Sequence, residues 1–279
     1  MACHPSQKRK MMMEVEETAP PLDRCVAAYR AECVHSELEM RLGTWSNDGS
    51  FSPGVSREVF EQLERDLLDS PGLTIADPHY LEVVDFHYIT GRDERARTRV
   101  EFDATNMELK REHTRKRAHT DVVLKRCEEA GGGAEACRVA FSRELPLESP
   151  PTACIPTHVR VKQRRRFFDV RDNCIVWSYE LSKTWSANSR TAVEHLQHHA
   201  EPTYEVECEL VDEGGAYLGT RTDAQVAASI ALKARLLLGD SRDLETVIRK
   251  GRVPAVAAAT ASVRTTASRK RSRCRGGQN

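Results

Sequence analysis

The chain has 279 residues, with 42 Lys and Arg against 42 Asp and Glu and a formal net charge of +0. A global cationic attraction to nucleic acid is thereby excluded, and any polyanion must be met by locally segregated charge. Hydrophobic residues make up 39%, enough for one substantial domain with tails or two small ones, and no apolar run is long enough to span a membrane.

The nine cysteines are odd in number and form no CxxC pair, the pattern of reduced thiols in a cytosolic or nuclear protein. Residues 1–22 are polar, end in Ala19-Pro20-Pro21 and lack a signal-peptide core, so a disordered arm and no export are expected. A short helix is predicted over 23–33 with Asp23 as N-cap. The stretch 35–43, HSELEMRLG, alternates strictly. Glu37, Glu39 and Arg41 share one face and Leu38, Met40 and Leu42 the other. That is strand period, and it sets Glu37 and Glu39 about 7 Å apart. A Ser-, Asn- and Gly-rich loop is expected over 44–54. Over 56–70 the spacing of Val59, Phe60, Leu63, Leu67 and Leu68 predicts a helix capped by Ser56 and ended by Pro71-Gly72.

Strands then follow in series. Residues 80–89 and 95–102 are joined by a turn at Gly91-Arg92-Asp93, and the second sets Arg95, Arg97, Arg99 and Glu101 on one face. The stretch 107–124 reads as a shorter strand followed by RKRAHTDVVL. A glycine loop spans 128–135, and alternation returns over 137–145. After a proline-rich connection, 157–170 carries the densest basic alternation, at Arg160, Lys162, Arg164 and Arg166. Arg171-Asp172-Asn173 turns into a strand over 174–185. A polar stretch with His195, His198 and His199, read as an exposed loop, precedes YEVECEL at 204–210, where Glu205, Glu207 and Glu209 share one face. Helices are predicted over 223–238 and 243–250. From about 253 the chain turns to Ala, Thr, Ser and Arg and ends in SRKRSRCRGGQN, a basic tail that serves either as a nuclear signal or as a nonspecific RNA contact.

The expected organisation is an arm over 1–22, one domain over 23–250 (core strands 34–212, C-terminal helices 223–250) and a disordered tail over 251–279. Many strands joined by short turns, with opposite charges packed on one face, predict a mainly β (α+β) fold. Its centre is a closed antiparallel barrel with a polar lumen, covered by the helices at 56–70 and 223–238. ELEMR or YEVECEL alone reads as a solvated strand face, and RVKQRRRF alone as an exposed RNA-binding or import signal. Carboxylates sharing a cavity repel by roughly 4 kcal/mol per pair at about 4 Å and an effective dielectric near 20, so they require a hard cation or protons. Acid strands at both ends and basic strands between them point to a metal-dependent site for a polyphosphate.

ELEMRLG at 37–43, the RxKxR strand at 160–164, WSYELSKTW at 177–185 and EVECE at 205–209 together resemble the metal-dependent RNA 5′-triphosphatases of mRNA capping, of fungal, protozoan and large-DNA-virus type, within the triphosphate tunnel metalloenzymes. The resemblance covers about residues 34–212 and implies an eight-stranded antiparallel tunnel. It implies that Glu37, Glu39 and Glu209 bind Mn²⁺ or Mg²⁺, while Glu205 and Glu207 complete the acid floor and hold metal-bound waters. By the same resemblance Lys162 and Arg164 grip the γ-phosphate with Arg160 nearby, Arg99 (in RVEFD) binds phosphate, and Arg115 and Arg117 reach the β-phosphate. Glu144 would orient the attacking water, and Glu180 and Ser182 would fix basic side chains and metal waters. The sequence departs from the family pattern in having Ser178 where an Arg is usual, with Arg166 as the candidate replacement, and Glu180 and Ser182 in place of Asp and Thr.

The implied activity is release of the γ-phosphate from 5′-triphosphate RNA, with NTP as a further Mn²⁺-dependent substrate. The chain has no nucleotidyltransferase KxDG motif, so cap transfer falls to a separate RNA guanylyltransferase, and EAGGGAEAC lacks the GK[ST] ending of a Walker loop. A nuclear location is expected, or a cytoplasmic one for a viral protein; a homodimer remains open. Two alternatives stand beside this: another tunnel enzyme acting on inorganic triphosphate, thiamine triphosphate or ATP, and a non-enzymatic barrel that binds polyanions without metal.

Overall fold

The computed structural model describes residues 22–239, except 33–34, 47–48, 91–93, 126–133 and 152–154. The strands are β1 (Ser36–Trp45), β2 (Phe51–Pro53), β3 (Leu73–Ile75), β4 (Leu81–Ile89), β5 (Arg95–Phe102), β6 (Glu108–Lys125), β7 (Ala134–Pro146), β8 (His158–Arg171), β9 (Cys174–Ala187) and β10 (Thr203–Leu210). The helices are α1 (Leu22–Ala31), α2 (Arg57–Leu68), α3 (Arg190–His199), α4 (Ala216–Gly219) and α5 (Asp223–Gly239). Eight strands pair antiparallel in the order β1-β7-β6-β5-β4-β8-β9-β10, and β10 returns to β1, which closes a barrel. β2 flanks β1 and β3 flanks β8.

The apolar side chains of the wall point outward. Leu38, Met40 and Leu42 of β1, Val139 and Phe141 of β7, Trp177 and Leu181 of β9 and Val206 and Leu210 of β10 join one core with Val26 and Tyr29 of α1, Phe60 and Leu63 of α2 and Val226 and Ile230 of α5. Full burial of each aliphatic side chain is worth roughly 2 kcal/mol. A smaller cluster, Val84, Val159, Val161 and Val193, seats α3. The lumen is left to the charged face of each strand, so α2 and α5 provide the expected cover and α1 and α3 add to it. Among the described residues no helix is long and apolar enough to cross a membrane.

Local chemistry accounts for the joints. Ser56 accepts a hydrogen bond from the Val59 amide and caps α2. Asp172 and Asn173 both take positive φ, at 51° and 63°, which is the tight turn that matches strand twist between β8 and β9. At Gly43 a Cβ would lie 2.1 Å from the Ser52 carbonyl oxygen. Glycine there lets β1 leave β10, its partner over 39–41, and take β2 at 43–45.

The structure departs from expectation in several places. Asp23 lies in the first turn of α1 rather than at its cap. The 44–54 loop contains β2. β6 is one strand of 18 residues, in which a bulge between Ala118 and Thr120 absorbs the change of pattern. The polar stretch before β10 is helix α3, capped by Ser189 and anchored by the buried Val193. A single apolar anchor gives too weak a period to read as a helix. The expected N-terminal arm (apart from Leu22, which opens α1), the turn at 91–93, most of the glycine loop, the 243–250 helix and the basic tail lie outside the described residues.

Candidate active site in the barrel lumen

Period-2 alternation on closed strands sends every second side chain inward. Glu39 of β1 is the direct partner of Glu209 of β10, and Arg41 of Glu207. β10 sets Glu205, Glu207 and Glu209 against Ser182, Glu180 and Ser178 of β9. Acid strands from opposite ends of the sequence thus form one continuous wall. Facing it are Arg160, Lys162 and Arg164 of β8, Arg97 and Arg99 of β5 and Lys116 of β6.

The opposite charges meet across the lumen. Lys162 is 1% exposed; its Nζ donates to Glu180 Oε1 at 3.1 Å and lies 3.9 and 3.8 Å from the Glu205 and Glu207 carboxylates. Arg164, 2% exposed, stands 2.9 Å from Glu101 and 3.7 Å from Glu180, yet its Nε and Nη2 have no hydrogen-bond partner, nor has Glu207 Oε1. Buried donors and acceptors are rarely left so, and in a charged cavity they mark where a ligand atom completes the network. Arg160 Nη2 donates to both oxygens of Glu205, which also accepts from the Thr184 hydroxyl at 3.2 Å. Ser182 donates to Glu180 at 3.0 Å.

A second group gathers near the start of β1. Lys116 donates to Glu37 and lies 3.0 Å from Glu144, and Arg97 donates to Glu144 at 3.0 Å. Burial would raise the Glu144 carboxyl, but Arg97 and Lys116 hold it below its ordinary value. Glu180 and Glu207 follow the same logic: burial raises them, but Lys162 brings Glu180 down, and Arg41 and Lys162 bring Glu207 down. Glu209 is the exception. Burial, then Glu37, Glu39 and Glu144, push it well above the carboxylate range, with Lys116 opposing. Its β9 neighbour is Ser178, at the position where the resembling family carries an arginine.

That imbalance tests the donor set for a metal. Glu37, Glu39 and Glu209 supply an excess of hard oxygen donors with too little positive charge, which suits a divalent ion of the Mg²⁺ or Mn²⁺ kind. Among the described residues no three carboxylates, imidazoles or thiols are already gathered at coordinating distance. The residues fit by chemistry and placement rather than by preformed geometry.

Three sequence assignments are corrected. Arg115 and Arg117 are exposed on the outer face of β6, because the inward register belongs to Lys116, the partner of Glu144. Arg166 does not replace the charge missing at Ser178: it partners Glu180 and is tied through Nε and Nη2 to Asp77, at 2.7 and 3.1 Å. Glu205 stands with Arg160 and Thr184 rather than with the Glu37–Glu39–Glu209 group. The residues missed are Lys116, Arg97, Asp77 and Asp85. Asp85, fully buried, accepts from Arg99 Nε and Nη2 at 2.8 and 2.9 Å and aims it into the lumen. An acid directly after Val83-Val84, in the middle of the run YLEVVDFHYI, was the signal for it; REHTRKR, basic at both parities, gave none for Lys116.

No family model matches the sequence, and no curated protein does. Solved structures do. The S. pombe Pct1 RNA triphosphatase aligns at 20% identity over 79% of this chain and 93% of that one, with a TM-score of 0.51; its complex with the Spt5 CTD aligns at 18%, 79%, 94% and 0.51. A mimivirus capping enzyme triphosphatase aligns at 12% identity over 78% of this chain and 95% of that one, with a TM-score of 0.50. At these identities the likeness shows the fold, and it agrees with the barrel closure and the charged lumen: this chain is built on the closed antiparallel barrel fold of those RNA triphosphatases.

Proposed function

We propose that the chain is a metal-assisted polynucleotide 5′-triphosphatase, which releases the γ-phosphate of triphosphate-ended RNA and leaves a 5′-diphosphate, the opening step of cap formation. The observation that carries the reading is the meeting, in one lumen, of a carboxylate, Glu209, without an ion pair among the described residues and a buried, mutually paired set of lysines and arginines in which Arg164 Nε and Nη2 have no hydrogen-bond partner.

Glu37, Glu39 and Glu209 would hold the divalent cation, which when bound supplies positive charge for the phosphate oxygens. Lys162, Arg164 and Arg99 receive the γ-phosphate, and Lys116 and Arg97 hold its neighbour; being preorganised, they need not reorient as charge shifts toward the leaving oxygen. Water attacks phosphorus in line, the bond to the bridging oxygen breaks, and the β-phosphate keeps the electron pair. Glu144, held below its ordinary pKa, is a weak base; it orients the water by accepting its hydrogen bond, and the proton leaves with the phosphate product. Glu207, Glu180 and Ser182 keep Arg41 and Lys162 in place, and Glu205 does the same for Arg160. A nuclear location, or a cytoplasmic one for a viral protein, with a separate guanylyltransferase belongs to the same proposal.

The test is γ-phosphate release from triphosphate-ended RNA with and without Mn²⁺, for the native chain and for Glu37→Ala, Glu39→Ala and Glu209→Ala. Loss of release in all three with the fold intact supports the reading; unchanged release in all three removes the metal assignment. Activity on inorganic triphosphate that far exceeds activity on RNA would favour another tunnel phosphohydrolase.

A further inference from the structure

The outer face of the same wall carries a second set of charges. β6 and β7 place Arg117 directly opposite Arg143, and both are exposed. Direct cross-strand partners have Cβ atoms about 5 Å apart, and like charges there destabilise a sheet. Several other surface arginines are paired, Arg111 with Glu108, Arg57 with Glu61 and Arg190 with Glu194, while Arg24, Arg65 and Arg235, exposed without an ion pair among the described residues, stand apart on helices rather than opposite another arginine. Arg117 and Arg143 form no ion pair among the described residues, and Arg115, next on the same face of β6, reaches only Glu94, at 4.0 Å. Arg95, the exposed first residue of β5, sits at the barrel rim as the direct partner of Lys116, whose side chain lies in the lumen. The ridge therefore runs from the lumen over the rim and onto the outer wall, a local excess of positive charge in a chain whose net charge is +0.

We propose that Arg95, Arg115, Arg117 and Arg143 form an exosite for the single-stranded RNA behind the triphosphate end, gripping phosphodiesters that follow the 5′ end out of the tunnel. The inference rests on the proposed activity for the placement of that end. A polynucleotide is favoured over an acidic peptide because the ridge is continuous with the rim that a chain ending in the lumen must cross. Phosphate contacts of this kind raise affinity without reading sequence, and they give it a salt dependence.

The experiment uses the full chain and the doubles Arg117→Ala/Arg143→Ala and Arg117→Glu/Arg143→Glu. Binding of a 5′-hydroxyl 20-mer RNA is followed by anisotropy at several salt concentrations, beside the KM for triphosphate-ended RNA and Mn²⁺-dependent ATP hydrolysis. The expected result is a Kd and a KM for RNA raised about tenfold in the alanine double, more in the reversal, with the log–log salt slope smaller by about one to two. ATP hydrolysis, confined to the lumen, stays unchanged. RNA binding and KM unchanged in both doubles overturns the exosite, as does an equal loss on RNA and ATP, which would mean a damaged wall. Capture of an acidic phosphopeptide through these arginines, with RNA binding untouched, also overturns it. A native chain that binds the 20-mer through the ridge yet releases no phosphate from triphosphate-ended RNA would instead refute the proposed activity.

Discussion

Glu39 and Glu209 face one another as direct partners across the β1–β10 seam, the pairing that closes the barrel. The closure thus depends on two like charges being neutralised together. Arg41 serves Glu39 and Glu207, and Lys116 serves Glu37 and Glu144, which leaves Glu209 with no ion pair among the described residues. On the proposed function, the cation would bind at this same seam.

Stability should therefore depend on pH through Glu209. Its folded pKa lies well above the ordinary 4.5. The folded chain keeps a proton there that the unfolded chain has lost, so stability falls as pH rises from about 4.5 through the folded value. Thermal melts of chelator-treated protein should show this decline, and Glu209→Gln should flatten it. Added Mn²⁺ should raise Tm most at the upper end of that window, where it no longer competes with the proton. A slope untouched by Glu209→Gln would contradict the assignment.

Asp85 holds Arg99, and its removal would leave a largely buried guanidinium without its partner. Asp85→Asn should cost about 3 kcal/mol in urea unfolding, at the lower end of the range for broken buried pairs because Arg99 keeps some exposure. It should also lower phosphate release by mis-aiming Arg99. Burial raises the Asp85 carboxyl, but Arg99 holds it well below 3.8. The pair's contribution is thus complete above that pH and is lost as pH falls through the lower folded value.

Lys116 and Arg115 are adjacent in sequence and on opposite sides of the wall. Lys116→Ala should lower kcat for Mn²⁺-dependent ATP hydrolysis by about a hundredfold, the scale for one preorganised charge-stabilising donor. Arg115→Ala should leave that activity unchanged. Steady-state assays of the two variants test the register of β6 directly, and equal effects would refute it.

Lys233 is buried beneath the wall, its Nζ 4.5 Å from the Trp177 ring centroid and 3.3 Å from the Ser229 hydroxyl. Burial lowers its pKa from 10.5 to about 8. The unfolded chain then binds the proton more readily, so stability should rise between about pH 8 and 10.5. Lys233→Met should remove this rise and raise Tm near neutral pH, as measured by calorimetry, because the replacement keeps the packing and drops the charge.

What could be read without coordinates was the face each residue takes within its own strand. Glu37 with Glu39, the three glutamates of β10, and Arg160 with Lys162 and Arg164 share faces because side chains alternate with a period of two, and a polar inner face with an apolar outer one implies a closed wall with a helical cover. Three things needed the tertiary structure. In REHTRKR both parities are basic, so only the pairing of Lys116 with Glu144 decided which residue points inward. Arg166 has the parity of its neighbours, but Asp77, in the connection between β3 and β4, claims its guanidinium. The excess of acid at Glu209 depends on which strands meet at the seam, and a contact between residues so far apart in sequence is set by barrel closure rather than by any local pattern.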